Sequence, residues 1–149
     1  MARTDFKFSY PFRIRYSEID GQSVVYNSHY LTFFDTAIIE YLETMGYDYT
    51  NVVERTGYDY HTVRNVVEYH DVVKYREDIE VCARIARLGN TSLSFVLEIH
   101  PAGGDDLRTS GEVVWVHTHQ ETGKTGPLPK DLLDAVQAFE GNLESSPRP

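Results

Sequence analysis

A single carboxylate, Asp20, stands in the run RYSEIDGQSVVYNSHYLTFFDTAIIEYL at the point where a β-like pattern gives way to a helical one. An acid just ahead of a helix caps the free N–H groups of the first turn, or simply occupies a turn. The same place has a second use. A helix start presents unpaired donors and the positive end of the dipole, which together can hold a carbonyl oxygen as it becomes an oxyanion. A carboxylate and an oxyanion site would then be neighbours, which is what attack on an acyl group needs. The backbone N–H groups near Tyr26 and Asn27 are the expected donors, because they begin the helix. The Asn27 side chain cannot exchange a proton, but it can bind a carbonyl or a water.

The elements that carry these residues follow from periodicity. Phe12, Ile14 and Tyr16 alternate with Arg13, Arg15 and Ser17, so a strand with one buried face is expected to end near Asp20. From Asn27 the spacing changes to three and four through Tyr30, Leu31, Phe34, Ile38, Tyr41, Leu42 and Met45, with Gly46 as the stop. Phe33, Ala37 and Ile39 widen the apolar face, so this helix is expected to be covered on more than one side. Thr50 can cap a short second helix through Arg55, with Gly57 after it. His61–His70, Ile79–Leu88, Thr91–His100 and Leu107–Gln120 read as β-rich. The breaks at Gly89-Asn90 and Pro101–Asp106 predict hairpins, so the last three strands should be antiparallel neighbours. Lys130–Glu140 predicts an amphipathic helix, and 141–149 a disordered tail. The fold class is α+β, with residues 1–140 as one domain.

Composition narrows the function. A chain of 149 residues with a formal charge of −9 and no Lys/Arg-rich block would on average repel a phosphate backbone, so nucleic acid is not an expected partner. Cys82 alone excludes a disulfide framework and a thiolate metal cluster, and fits a reducing cytoplasm. No run of eighteen apolar residues occurs and the N-terminus carries no signal core, so no membrane association is expected. His117 and His119 would share one face of a strand, a metal-compatible spacing. With no carboxylate or cysteine at matching spacing, however, no metal site is expected. His29 can line a pocket or sit on the helix surface. Asp35, Glu40 and Glu43 can form a polar groove, a solvated stripe or a subunit contact. Phe33, Phe34, Tyr60 and Tyr69 suit either a hydrophobic pocket or the core.

YSEIDGQSVVYNSHYLTFFDTAIIEYL resembles the acid-turn-Val-Val-aromatic motif of the hotdog-fold acyl-CoA thioesterases of the 4-hydroxybenzoyl-CoA thioesterase type. VVEYHDVVKYREDIEV is similar to that family's second block, with Tyr69 and Asp78 in place, and RLGNTSLSFVLEI to its following hairpin. The resemblance implies a hotdog fold, a long central helix wrapped by a curved antiparallel sheet, assembled as a dimer or tetramer with active sites between subunits. It implies hydrolysis of an acyl-CoA with no cofactor beyond the CoA carried by the substrate. Asp20 would attack the thioester carbon or activate water. Val25, His29, Tyr30, Phe34, Tyr69, Arg87, Thr91 and Ser92 would bind substrate. Lys74, Arg76, Arg84 and Arg87 are candidates for the CoA phosphates, though each such cation is more often a solvated strand residue.

The sequence departs from the pattern at Ser23, where many members have glycine, at Asn27, where many have histidine, and at Glu18, where aspartate is frequent. If position 23 needs a positive φ, the turn is strained or differently shaped. An acyl carrier protein thioester as substrate, a hydratase or dehydratase, and a non-catalytic acyl-CoA-binding domain remain the alternatives. The histidine and Pro-Gly turn of the carrier-protein dehydratases are absent.

Overall fold

The three-to-four spacing of apolar residues produces α1 (His29–Thr44), which buries Tyr30, Phe33, Phe34, Ala37, Ile38, Tyr41 and Leu42. In the computed structural model, which describes residues 3–143, this helix packs against one antiparallel sheet of five strands. The strands are β1 (Ser9–Arg13), β2 (Tyr58–Tyr69), β3 (Asp78–Leu88), β4 (Ser92–Pro101) and β5 (Thr109–His119), in the order β1-β3-β4-β5-β2. The hairpin signals place β3, β4 and β5 side by side, as expected. A short α2 (Val52–Thr56) and a C-terminal α3 (Lys130–Glu140) complete the elements.

Alternation along the central strands builds the core. Ile79, Val81, Ala83 and Ile85 of β3 and Leu93, Phe95, Leu97 and Ile99 of β4 are all buried. Each large apolar side chain so placed contributes roughly 1.5–3 kcal/mol. On β5, Gly111 sits where the helix comes closest. A Cβ there would lie 2.3 Å from Phe34 Cε2 and 2.8 Å from the Val66 carbonyl oxygen. Glycine at 111 is therefore what lets Phe34 reach the sheet.

The register of β3 against β4 slips between Ile85 and Arg87. Tyr41 reaches across from α1, so that its hydroxyl accepts the Ile85 N–H at 2.9 Å and donates to Glu140 of α3 at 2.6 Å. Burial, and then Glu140, push the Tyr41 hydroxyl pKa well above the ordinary value. Helix, sheet and C-terminal helix thus meet at one oxygen.

Several boundaries differ from the sequence-based expectation. The first strand ends at Arg13, not near Asp20, because the chain leaves the sheet at Ile14 and coils into a 3-10 turn over Tyr16–Glu18. Tyr16, expected on the buried face, is 76% exposed. α1 starts at His29, two residues after Asn27. Asn51, not Thr50, precedes α2. β2 begins at Tyr58, three residues early, and β5 at Thr109, two residues late. Gly141–Leu143 follow α3, and the remainder of the expected tail, 144–149, lies outside the described residues, as do Met1 and Ala2. No helix among the described residues is long and apolar enough to cross a membrane.

Candidate active site

The 3-10 turn that ends β1 is closed by an ion pair. The Glu18 carboxylate, only 5% exposed, accepts hydrogen bonds from the Arg15 backbone N–H at 2.6 Å, the Arg15 Nε at 2.9 Å and the Ser17 hydroxyl at 3.1 Å. Burial raises its pKa, but these donors and the Arg15 charge outweigh burial and hold the carboxyl below its ordinary range. Two residues on, Asp20 opens a tight turn. Its N–H donates to the Val24 carbonyl at 2.9 Å, and its carbonyl accepts the Ser23 N–H at 3.1 Å. The Ile19–Val25 bridge closes the turn's base.

Ser23 takes φ +61°, the left-handed region that glycine enters freely. The departure from glycine therefore leaves strain, and the turn keeps its shape in spite of it. The Asp20 Oδ1 accepts the Gln22 N–H at 2.7 Å, which fixes the carboxylate and leaves Oδ2 without a partner.

At the helix start the donors sort differently from expectation. The Tyr26 N–H is committed to the Glu18 carbonyl at 2.9 Å, so it is not a free donor. The Tyr26 carbonyl accepts the His29 N–H at 3.0 Å. The Asn27 and Ser28 N–H groups carry no hydrogen bond and both residues are exposed, which leaves them as the unspent donors just ahead of α1. The Asn27 carbonyl accepts the Tyr69 hydroxyl at 2.9 Å.

A cavity of about 380 Å³ is lined by Val25, Asn27, Tyr30, Tyr69, His70, Asp71 and Val72. Four expected site residues thus share one wall system. Asp20 is not part of it, but Ile19 pairs with Val25, so the acid stands one residue from that wall. Tyr30 is buried and lies 5.2 Å from the Tyr69 ring, edge to face. His29 is half-buried beside the exposed Tyr26 ring, 5.8 Å away. A neighbouring cavity of about 460 Å³ shares Asp71 and Val72 and adds Lys74, Tyr75, Arg76, Glu77 and Arg108. Lys74 pairs with Val24, so these cations flank the acid turn.

Other expected residues are not brought here. Phe34 is fully buried against Gly111 and belongs to the core. Arg87 lies at the far end of β3, and Thr91 and Ser92 just past it where β4 begins; the eleven residues of β3 span ~33 Å at about 3.3 Å each. Within one chain they are not brought beside Asp20. Arg84 lies on that same strand, one of its Nη atoms 3.5 Å from the Asp5 carbonyl. His117 stacks on Tyr58 at 4.5 Å, and His119 Nδ1 accepts the Glu121 and Thr122 N–H groups. No group of three or more His, Cys, Asp or Glu among the described residues could hold a metal. Asp35 and Glu43 are exposed and Glu40 is half-buried on α1.

Two participants escaped sequence reading. Glu18 was noted only as a departure, although an acid three residues after Arg15 is the spacing that closes a turn. Arg108, bound to Glu77 at 2.7 Å and to the Val72 carbonyl at 2.8 Å, holds the 72–77 loop, and nothing local in the sequence marks it.

A long helix on an antiparallel sheet, with a carboxylate turn beside the helix start, defines the hotdog class of thioesterase-like proteins. Residues 14–136 match the family model described as the thioesterase-like superfamily, and the chain belongs to that family. It is similar to the acyl-CoA thioester hydrolase YbgC of Escherichia coli O6:H1, 28% identical over 128 residues, 85% of this chain and 92% of that protein. It is also similar to the L-carnitine dehydrogenase/betainyl-CoA thioesterase of Rhizobium meliloti, 23% identical over 140 residues. That match takes in 90% of this chain but 28% of that protein. The crystal structure of Slr0204, a 1,4-dihydroxy-2-naphthoyl-CoA thioesterase from Synechocystis, has the same fold. Its TM-score is 0.80 at 19% identity, covering 87% of this chain and 94% of that one.

Proposed function

We propose that the protein hydrolyses the thioester of an acyl-CoA to a carboxylic acid and free CoA. The observation that carries this reading is the pairing of a fixed carboxylate with an unspent backbone donor at the start of α1. The thioester carbonyl oxygen would receive the Asn27 and Ser28 N–H groups, reinforced by the helix dipole, as negative charge develops on it. Asp20 Oδ2 would attack the carbonyl carbon and expel the CoA thiolate, giving a mixed anhydride that water then cleaves to the free acid and Asp20. Alternatively, it would take a proton from a water that attacks the same carbon, with the CoA thiolate again leaving. A carboxylate is a weak base near neutrality, but a thioester is an activated acyl donor with a good leaving group. No metal or redox cofactor has a step in this chemistry.

The cavity beside Tyr30 and Tyr69 would take the acyl group, and Lys74 and Arg76 the CoA phosphates. Arg87, Thr91 and Ser92 join this site only from a second copy. The twelve-residue β2 at the sheet edge offers a free row of backbone groups for antiparallel pairing with its equivalent. Such a two-fold pairing would bring the far end of one sheet towards the near end of the other. The protein would act in the cytoplasm, where Cys82, buried and with its thiol pushed up to about 11, stays reduced.

The test is thiol release from a panel of aliphatic and aryl acyl-CoAs and an acyl carrier protein thioester, with Asp20→Asn in parallel. The amide keeps an oxygen for the Gln22 N–H, so the turn should survive. Turnover should fall on the order of a hundredfold or more. Acyl-CoA binding without turnover in the natural protein would establish a binding domain instead, and equal rates would remove Asp20 from the mechanism.

A further inference from the structure

Two bonds fix the two peptide groups that meet at Asn27: the Tyr26 carbonyl accepts the His29 N–H, and the Asn27 carbonyl accepts the Tyr69 hydroxyl. A third, from the Tyr26 N–H to the Glu18 carbonyl, holds the peptide before them. The two backbone-to-backbone bonds survive any side-chain change. The Tyr69 bond arrives from the end of β2, 42 residues away in sequence, and depends on one phenolic oxygen. A peptide group is planar and trans, so holding its carbonyl oxygen sets the direction of the N–H on the same plane. Tyr69 therefore orients the Ser28 N–H. With the Tyr26 carbonyl also held, both planes flanking the Asn27 Cα are pinned. A carbonyl that accepts a hydrogen bond also polarises its own peptide, which strengthens the N–H as a donor.

We propose that Tyr69 is a positioning residue, whose hydroxyl holds the Asn27 carbonyl and so aligns the backbone donors that stabilise the thioester oxyanion. This rests on the hydrolytic reading of the site. The ring has a separate task, since it is 54% exposed and forms a wall of the cavity edge-on to Tyr30. Ring and hydroxyl can therefore be separated by deleting one atom. The effect of the hydroxyl reaches the substrate only through the peptide.

Tyr69→Phe keeps the wall and removes the tether. With the best acyl-CoA of the panel, kcat should fall about five- to tenfold, the size of one lost hydrogen bond, while KM stays within about twofold. Amide hydrogen exchange at Ser28 and Asn27 should speed up, and the unfolding midpoint should move little because the bond is exposed. An unchanged kcat in Tyr69→Phe would overturn the proposal. So would a higher KM at constant kcat, which would mean that the phenol contacts substrate directly. Should the natural protein turn over no acyl-CoA, the hydrolytic reading fails by itself, and unaltered amide exchange in Tyr69→Phe then refutes the tether.

Discussion

Deleting the Tyr41 hydroxyl tests how helix, sheet and C-terminal helix are joined. Tyr41→Phe leaves the ring, which lies 5.6 Å from Phe8 and 5.7 Å from Phe139, in place. It strips the partner from the Ile85 N–H, on a residue with no exposed surface. An unpaired buried donor costs about 1–3 kcal/mol. Glu140 also loses its hydrogen bond, worth about 0.5–1 kcal/mol once its partial exposure is allowed for. The sum is about 1.5–4 kcal/mol, or roughly 3–16 °C in Tm for a chain of this size. The sole tryptophan, Trp115, is 5% exposed and 4.8 Å from Phe95, so its fluorescence reports unfolding in urea. Both proteins are compared at equal concentration, because association shifts apparent stability. A loss below ~1 kcal/mol would show that Ile85 finds another acceptor, and the three-element junction would be wrong.

Gly111→Ala should cost about 1–3 kcal/mol by overpacking, at the upper end because the Val66 carbonyl cannot yield as a side chain can. Urea midpoints check this, and a neutral change would refute the close approach of Phe34. Acid should weaken the fold through Glu18 and Glu80. The Glu80 carboxyl is lowered first by the Gly103 N–H and then by Arg3 and Ser9, against burial. Both carboxyls are depressed in the folded state, so the unfolded chain binds more protons below its own value near ~4.3. Their contribution is complete above that pH and disappears as pH falls through the folded values. The midpoint difference between pH 5.5 and pH 3.5 should shrink in Glu80→Gln, and an identical difference would contradict it.

Where side-chain periodicity decides structure, the sequence was legible. The apolar spacing from Tyr30 to Leu42 marked α1, and Gly89-Asn90 marked the β3–β4 hairpin. Boundaries were less so, because they depend on partners remote in the chain. Tyr16 continues the alternation of Phe12 and Ile14, yet the Arg15–Glu18 clasp turns the backbone out of the sheet before it. Asp20 and Asn27 were singled out through local chemistry and resemblance. The loss of the Tyr26 donor was invisible, since it depends on a carbonyl eight residues upstream. Nor does any local pattern say that β2 pairs with β5 instead of β3, or that Arg87 and Asp20 lie at opposite ends of the sheet.

The strand order also sets a timetable for the chain as it is made. Ser9 waits for Cys82, and Tyr58 for His119, before either edge strand has a neighbour. During that interval α1 has already emerged, with Phe33 able to meet Phe12 of β1 but Phe34 still without the β5 backbone at Gly111 on which it finally packs. Loop closure over such separations slows folding, and exposed apolar surface in the meantime favours association with the wrong partner. A nascent chain stalled before β3 would therefore be a client for chaperones or proteases, and the β3–β4 hairpin is the first segment whose arrival can end that exposure.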